Sequence, residues 1–290
     1  MILGPMAEHP TIVLAVDEQT RDVRDDDRVL VRALEARGAV VVPALWGAAL
    51  PARIDGVLLR SPWDYVDRLE EFLAWLAALE DAGVGVWNHP DVVRWNCHKR
   101  YLVELAGRGI DVVPTVLVAQ GDATDLGELM AAQGWHDAVA KPAVGAGSKD
   151  AVHVGREGVA AAGAHLASLV ASQDVLVQPF LREIERGGEL SIVVVDGEVT
   201  HVVRKQPQPG EWRIQSDYGG TAALVAPTAE HRDVARRVLD VVPLAPRYAR
   251  VDVVEVQGRL LLMEVELIEP ELWFSLAPHA ADALAAAILR

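Results

Sequence analysis

Three carboxylates near the end of the chain, Asp252, Glu264 and Glu266, have the type and spacing of a hard-cation site. Asp252 stands in an apolar run that reads as a strand, Gln257-Gly258 supplies a turn, and a second apolar run ends in Glu264-Val265-Glu266. Side chains on a strand alternate between faces, so Glu264 and Glu266 share one. Pairing of the two strands about the turn brings Asp252 across the hairpin towards them. Three carboxylates converging beside Val, Leu and Met repel one another without a cation. Oxygen ligands of this kind suit Mg²⁺, as one or two ions, or Mn²⁺ in its place, completed by the phosphate oxygens of a substrate. The competing explanation is a half-exposed hairpin with a solvated acidic face.

Upstream, cations and glycines offer a partner for such an ion. Gly145, Gly147 and Ser148 form a segment whose backbone N–H groups can turn towards an anion, with the Ser148 hydroxyl as a further donor. The segment fits neither G-x-x-x-x-G-K-[ST] nor the full G-x-G-x-x-G, which excludes the P-loop and Rossmann phosphate sites. Lys141 ends the strand before it, and Lys99 lies on a helix predicted over 96–107. Together with the carboxylates they make a polyphosphate cradle. Gln178-Pro179-Phe180-Leu181 reads as a strand entering a hinge, able to present backbone groups to a planar base between apolar side chains. Glu185 and Glu189 follow as acceptors for ribose hydroxyls. Arg204-Lys205 and Arg213-Ile214-Gln215, with Gly219-Gly220 beyond, bracket an irregular loop at 206–212. Cations flanking such a loop can neutralise a transferring phosphoryl group.

These side chains need a scaffold, and the apolar periodicity predicts it. Strands at 11–16, 39–43, 56–59 and 84–87 alternate with helices at 28–37 and 69–82, the rhythm of a doubly wound α/β lobe. Ligands of such sheets sit beyond the carboxyl ends of the strands. Arg60, Ser61, Trp63 and Asp64 fall at one such end and are candidate substrate contacts, although a buried loop anchor explains Trp63 equally well. Further strands are predicted at 115–119, 138–141, 151–154, 175–178, 190–195 and 198–204, with helices at 125–133 and 160–172. The stretch from 182 to 188 reads as an acidic loop. Three blocks emerge, 1–87, 88–174 and 175–290.

Composition narrows the class. The chain has 290 residues, of which 51% are hydrophobic and 24% charged, which is globular. A formal charge of −15 argues against a nucleic-acid or membrane-surface partner, which would need clustered Lys and Arg. The single Cys97 excludes an internal disulfide and fits a reducing cytoplasm. No secretory signal or bilayer-length apolar segment is present, and residues 1–10 read as a loose leader.

The ordered set Asn96-x-x-Lys99, Lys141-Pro142 with its glycine loop, Gln178-Pro179-Phe180-Leu181, Arg204, Arg213-x-Gln215 with Gly219-Gly220, Asp252 and Glu264-x-Glu266 resembles the ATP-grasp superfamily. The resemblance covers residues 88–290 and is strongest to the branch of bacterial glutathione synthetase and the RimK-like ligases. Within that branch R-S-P-W-D-Y, G-E-L-S, R-K-Q-P and E-V-E-L-I-E-P are most similar to the cyclo-ligases of D-cycloserine biosynthesis, which act on O-ureido-serine. The resemblance implies an N-terminal α/β lobe followed by a small central and a C-terminal α+β lobe. ATP would lie between the last two, held by Lys99, Lys141, Gly145, Gly147, Ser148, Gln178, Pro179, Phe180, Leu181, Glu185 and Glu189. Asp252, Glu264 and Glu266 would hold Mg²⁺. Arg204 and Arg213 would stabilise an acyl phosphate formed on a small amino-acid-like substrate. Arg60, Ser61, Trp63, Asp64, Lys205, Gln215, Gly219 and Gly220 would contact that substrate. A nitrogen of the same or a second molecule then displaces phosphate. Relatives are often dimers or tetramers. Two positions depart from the branch pattern: Glu266 replaces the usual Asn, adding negative charge, and Ser191 replaces a common Arg, which counts against a standard amino-acid substrate. The competing functions are a ligase that adds amino acids to a peptide or protein, and a nucleotide-binding regulator without turnover.

Overall fold

The strands β1 (Thr11–Val16), β2 (Val40–Leu45), β3 (Gly56–Ser61) and β4 (Val86–Trp87) form a parallel sheet in the order β2-β1-β3-β4. Ile12–Val16 and Val57–Leu59 are wholly buried, as continuous apolar strands covered on both faces must be. The helices α1 (Asp25–Glu35) and α2 (Leu69–Asp81) flank it in this computed structural model, which describes residues 9–155 and 158–290. Most of the expected leader therefore lies outside the described residues. Helix α1 begins three residues before its apolar spacing predicts, because Asp25, Asp26 and Asp27 suit the positive end of a helix.

The helix predicted over 96–107 is two helices, α3 (Pro90–Asn96) and α4 (Tyr101–Gly107). Lys99 lies in the link between them. The break has a cause: the Asn96 amide donates to the Val265 carbonyl at 2.8 Å and accepts from Leu267 N–H at 2.8 Å, while Lys99 N–H reaches the Ala143 carbonyl at 2.7 Å.

A second, antiparallel sheet contains β5 (Val116–Val118), β6 (Ala138–Pro142), β7 (Val152–Val154) and β8 (Val175–Pro179) in the order β5-β8-β6-β7, with α5 (Leu126–Gln133) and α6 (Val159–Val170) against it. Asp125 caps α5 by accepting from Glu128 N–H. After β8 the predicted acidic loop is a short helix, α7 (Arg182–Gly187). A third, antiparallel sheet runs β11-β10-β9-β12-β13, from β9 (Glu189–Val195), β10 (Glu198–Gln206), β11 (Thr221–Val225), β12 (Tyr248–Val256) and β13 (Arg259–Glu266). Two further helices, α8 (Ala229–Leu239) and α9 (Pro278–Ile288), complete the chain.

The sheets do not follow linear cuts at 87/88 and 174/175. Strand β8 belongs to the second sheet, while α3 and α4 share a core with the third through Val92, Tyr101, Leu102 and Leu105. Val112 also bridges to Leu262 of β13, and α9 returns to pack with α1 and β1. Among the described residues no helix is long and apolar enough to cross a membrane.

Candidate active site

Pairing in the third sheet decides which side chains meet. Lys205 pairs with Glu189, Asp252 with both Ser191 and Glu264, and Arg250 with Glu266. Directly opposed residues share a face, so seven polar side chains project from one side of the sheet. They form a network of alternating charge. Arg250 Nε donates to both oxygens of Asp252 at 3.0 and 3.1 Å, and its Nη2 bonds Asp252 at 2.9 Å and Glu266. Lys205 bridges Glu189 at 2.5 Å and Asp252 at 3.2 Å, and the Ser191 hydroxyl donates to Asp252 at 2.5 Å. Trp273 lies beneath both cations, 5.3 Å from Arg250 and 5.8 Å from Lys205.

Lys99 adds a fifth ion pair, 3.1 Å from Glu264, and also bonds the Gly145 carbonyl. Its link between two helices thus ties the glycine loop of the second lobe to β13. Lys141 faces the same group; burial lowers its pKa, while Glu264 opposes the shift. The glycine loop takes left-handed backbone at Gly147 and Ser148, φ 62° and 60°. Turn backbone of this kind can present N–H groups to an anion, while the Lys149 N–H closes the loop on the Ala146 carbonyl at 3.1 Å.

Burial and charge pull the carboxyl groups apart. Burial raises Asp252, but Arg250, Lys205 and the Ser191 hydroxyl bring it down to about 2. Glu264 is likewise lowered against burial by Lys99 and Lys141. Burial pushes Glu266 up to about 7 against Arg250, assisted by Glu264 and Asp252. Glu269, just beyond β13, rises to about 8 through burial and the proximity of Glu266.

The donor set fits a divalent ion that phosphate oxygens complete. Among the described residues no three His, Cys, Asp or Glu side chains are grouped so as to hold a metal alone. Glu264 and Glu266 are 22% and 29% exposed on one face, whereas Asp252 is 3% exposed with both oxygens occupied. Glu264 and Glu266 are therefore the two open ligands, a number that suits Mg²⁺ bound largely through phosphates. Asp252 would join them only by exchanging a donor for the ion.

Several predicted contacts are placed elsewhere. Arg204 adjoins Lys205, so strand alternation turns it to the opposite face, where its partner Leu190 packs in a core with Ala235 and Val238 of α8. Its guanidinium bonds the Gly187 carbonyl. Arg213 folds onto its own loop, 2.7 Å from Glu211 and 3.6 Å above the Tyr218 ring. Arg60 and Ser61 are buried, donating to the two oxygens of Asp27 at 2.8 Å each, which makes them an internal brace. Lys205 and Glu189, expected at the substrate and the ribose, stay on the site face but hold each other. Glu185 is exposed on α7. The residue that reading missed is Arg250. Its signal was present, since Arg250-Val251-Asp252 has the same alternation as Glu264-Val265-Glu266. Accordingly, Arg204→Gln should change kcat by less than about threefold, the effect of a substitution away from the site; steady-state ADP release checks this.

Other expected contacts border the cleft. Gln178 is buried and donates to the Thr115 hydroxyl at 2.9 Å. Phe180 stacks on His153 with ring centroids 4.0 Å apart, and Trp212 meets Phe180 edge-on at 6.5 Å. Loop 206–212 thus reaches from the third sheet to the second. Its base is tight: a Cβ on Gly220 would lie 2.1 Å from the Ile214 carbonyl oxygen. Asp64 accepts from Trp46 and Arg68 at 2.5 Å each, beside a cavity of about 560 Å³ at the carboxyl ends of β1 and β2.

A parallel α/β lobe followed by two antiparallel sheets, with lysines and carboxylates between them, defines an ATP-grasp ligase. Residues 105–270 match the prokaryotic glutathione synthetase ATP-grasp domain, and residues 12–88 match the N-terminal domain of D-cycloserine synthetase DcsG. The chain belongs to the ATP-grasp family and is an ATP-dependent carboxylate–amine ligase that uses a divalent metal. It is 30% identical to the cycloserine biosynthesis protein DcsG of Streptomyces lavendulae over 96% of this chain and 97% of that protein. The crystal structure of D-cycloserine synthetase DcsG superposes with a TM-score of 0.87 at 27% identity, covering 96% of this chain and 98% of that one. D-alanine–D-alanine ligase from Bacillus anthracis shares the fold, with a TM-score of 0.71 at 16% identity over 97% of this chain and 96% of that one. A probable alpha-L-glutamate ligase of Shewanella halifaxensis is 33% identical over 32% of this chain and 19% of that protein.

Proposed function

We propose that the chain closes a ring within one small amino-acid-like molecule, with O-ureido-serine as its substrate. The full-length similarity to DcsG supports the substrate class. Glu264, Glu266 and Arg250 on one sheet face, with Lys99 against Glu264, carry the chemistry. Lys99, Lys141 and the backbone at Gly145, Gly147 and Ser148 hold the triphosphate. The 178–181 strand and hinge, with Phe180 and Leu181, border the base. Glu264 and Glu266 would hold Mg²⁺, one or two ions, which would neutralise charge on the phosphates.

The substrate carboxylate attacks the γ-phosphorus and ADP leaves, giving an acyl phosphate. Arg250 faces this group, and its guanidinium offers planar donors to a carboxylate or phosphate pair. The substrate's own nitrogen then attacks the acyl carbon; phosphate leaves, and the nitrogen gives up its proton. Catalysis here rests on positioning and on donors fixed in advance by Asp252 and Glu266. Trp212 and its loop shield the acyl phosphate from water.

Incubating the protein with ATP, Mg²⁺ and O-ureido-serine alone tests this reading. ADP and a cyclic product should appear without a second amine. ADP formation only after a separate amino acid is added would replace ring closure by an intermolecular ligation.

A further inference from the structure

The segment Arg60–Tyr65 was expected to meet substrate, yet most of its polar side chains are engaged inside the protein. Arg60 and Ser61 bond Asp27, Trp63 donates to the Glu269 carbonyl at 3.3 Å, and Asp64 takes Trp46 and Arg68. The Tyr65 hydroxyl differs. The residue is 5% exposed, and among the described residues its hydroxyl makes no hydrogen bond. Tyr65 packs in one core with Ile268, the neighbour of Glu269, and Trp63 of the same turn reaches the Glu269 carbonyl; burial raises the pKa of the hydroxyl and Glu269 adds to the shift.

Glu269 is the complementary case. It is 8% exposed, and among the described residues its carboxylate makes no ion pair. The lysine whose charge reaches it, Lys99, is already engaged by Glu264 and the Gly145 carbonyl. A buried carboxylate without an ion pair is costly unless a ligand supplies the countercharge. Its backbone is nevertheless fixed, because four consecutive carbonyls each take a donor. Asn88 bonds Leu267 O at 2.7 Å, Tyr248 bonds Ile268 O at 2.8 Å, Trp63 bonds Glu269 O, and Arg60 bonds Pro270 O at 2.8 Å. Such bracing places a side chain for recognition, since a site is only as accurate as its support.

We propose that Glu269 and the Tyr65 hydroxyl together receive the ammonium group of the amino-acid-like substrate, which makes Glu269 a specificity-determining residue of the ligase site. This rests on the amino-acid-like substrate proposed above. It also gives the buried brace a purpose: Arg60 acts on specificity through the 269–270 backbone without touching substrate.

The test compares O-ureido-serine with its deamino counterpart, in which hydrogen replaces the ammonium, on the native protein, Glu269→Gln and Tyr65→Phe. Glu269→Gln should raise KM for O-ureido-serine by ~10–100-fold, the loss of one charged hydrogen bond, and Tyr65→Phe by ~3–10-fold. KM for ATP should stay within about twofold in both. The preference for the ammonium-bearing substrate should largely vanish in Glu269→Gln. Equal losses on both substrates, an unchanged KM, or a raised Mg²⁺ requirement in place of a KM effect would overturn the proposal; the last would make Glu269 a metal ligand. If Glu269→Gln does not fold, the Tyr65→Phe comparison decides in the same way. Should the native protein turn over a different amino acid, the ring-closing assignment falls, while the same comparison on that amino acid still judges Glu269.

Discussion

Arg250→Lys is expected to lower kcat by on the order of 10²–10³, with a smaller effect on KM for ATP. The native guanidinium reaches Asp252 with two nitrogens while bonding Glu266, and 10% of the side chain remains exposed towards the cleft. A lysine keeps the charge but lacks the planar fork, so it can satisfy one carboxylate or face an acyl phosphate, not both. Arg250→Ala should fail differently. It removes the cation that Asp252 and Glu266 share, leaving Asp252 only Lys205 and the Ser191 hydroxyl, and should cost about 3–5 kcal/mol of stability. Steady-state kinetics on the Lys variant and denaturant melts on the Ala variant separate the two effects. Near-native kcat in Arg250→Lys would leave the sheet face without its assigned electrostatic role.

Glu264→Gln should reduce Mg²⁺-dependent ADP formation by ~10³-fold or more, with the fold retained. Glu264 is the carboxylate on which Lys99 and Lys141 both act, and it is one of the two open oxygen ligands beside the phosphate cradle. The amide preserves shape and one acceptor but removes the charge that a small, hard cation requires. Excess Mg²⁺ should restore part of the rate, which distinguishes lost ion affinity from general damage. Turnover equal to native at ordinary Mg²⁺ would place the ion elsewhere.

Much of the site was legible because strand pattern is local. The hairpin Tyr248–Glu266 follows from two apolar runs about Gln257-Gly258, and alternation alone puts Glu264 and Glu266 together. The link between the strands expected at 190–195 and 198–204 is Asp196-Gly197, a dipeptide that suits a tight hairpin, and both residues take positive φ, 51° and 86°. The parallel lobe showed itself through its continuous apolar strands. Asp64 and its cavity fell, as expected of such a sheet, beyond the strand ends.

The failures share one origin. Arg204 and Lys205 are adjacent and equally basic, and nothing local says which faces the cleft; the register of β10 on β9 does, by pairing Lys205 with Glu189. Shifting that register by one residue would exchange them. Arg60 read as a substrate contact because its partner Asp27 is 33 residues away. The break before Lys99 depends on Asn96 meeting a strand 169 residues downstream. Residue order therefore fixed the strands other than β11, the acidic hairpin and the family resemblance, all governed by backbone geometry over a few neighbours. Long-range packing chose the face, the partner and the exposure of each charge, because those follow from burial against parts of the chain that no local pattern can reach.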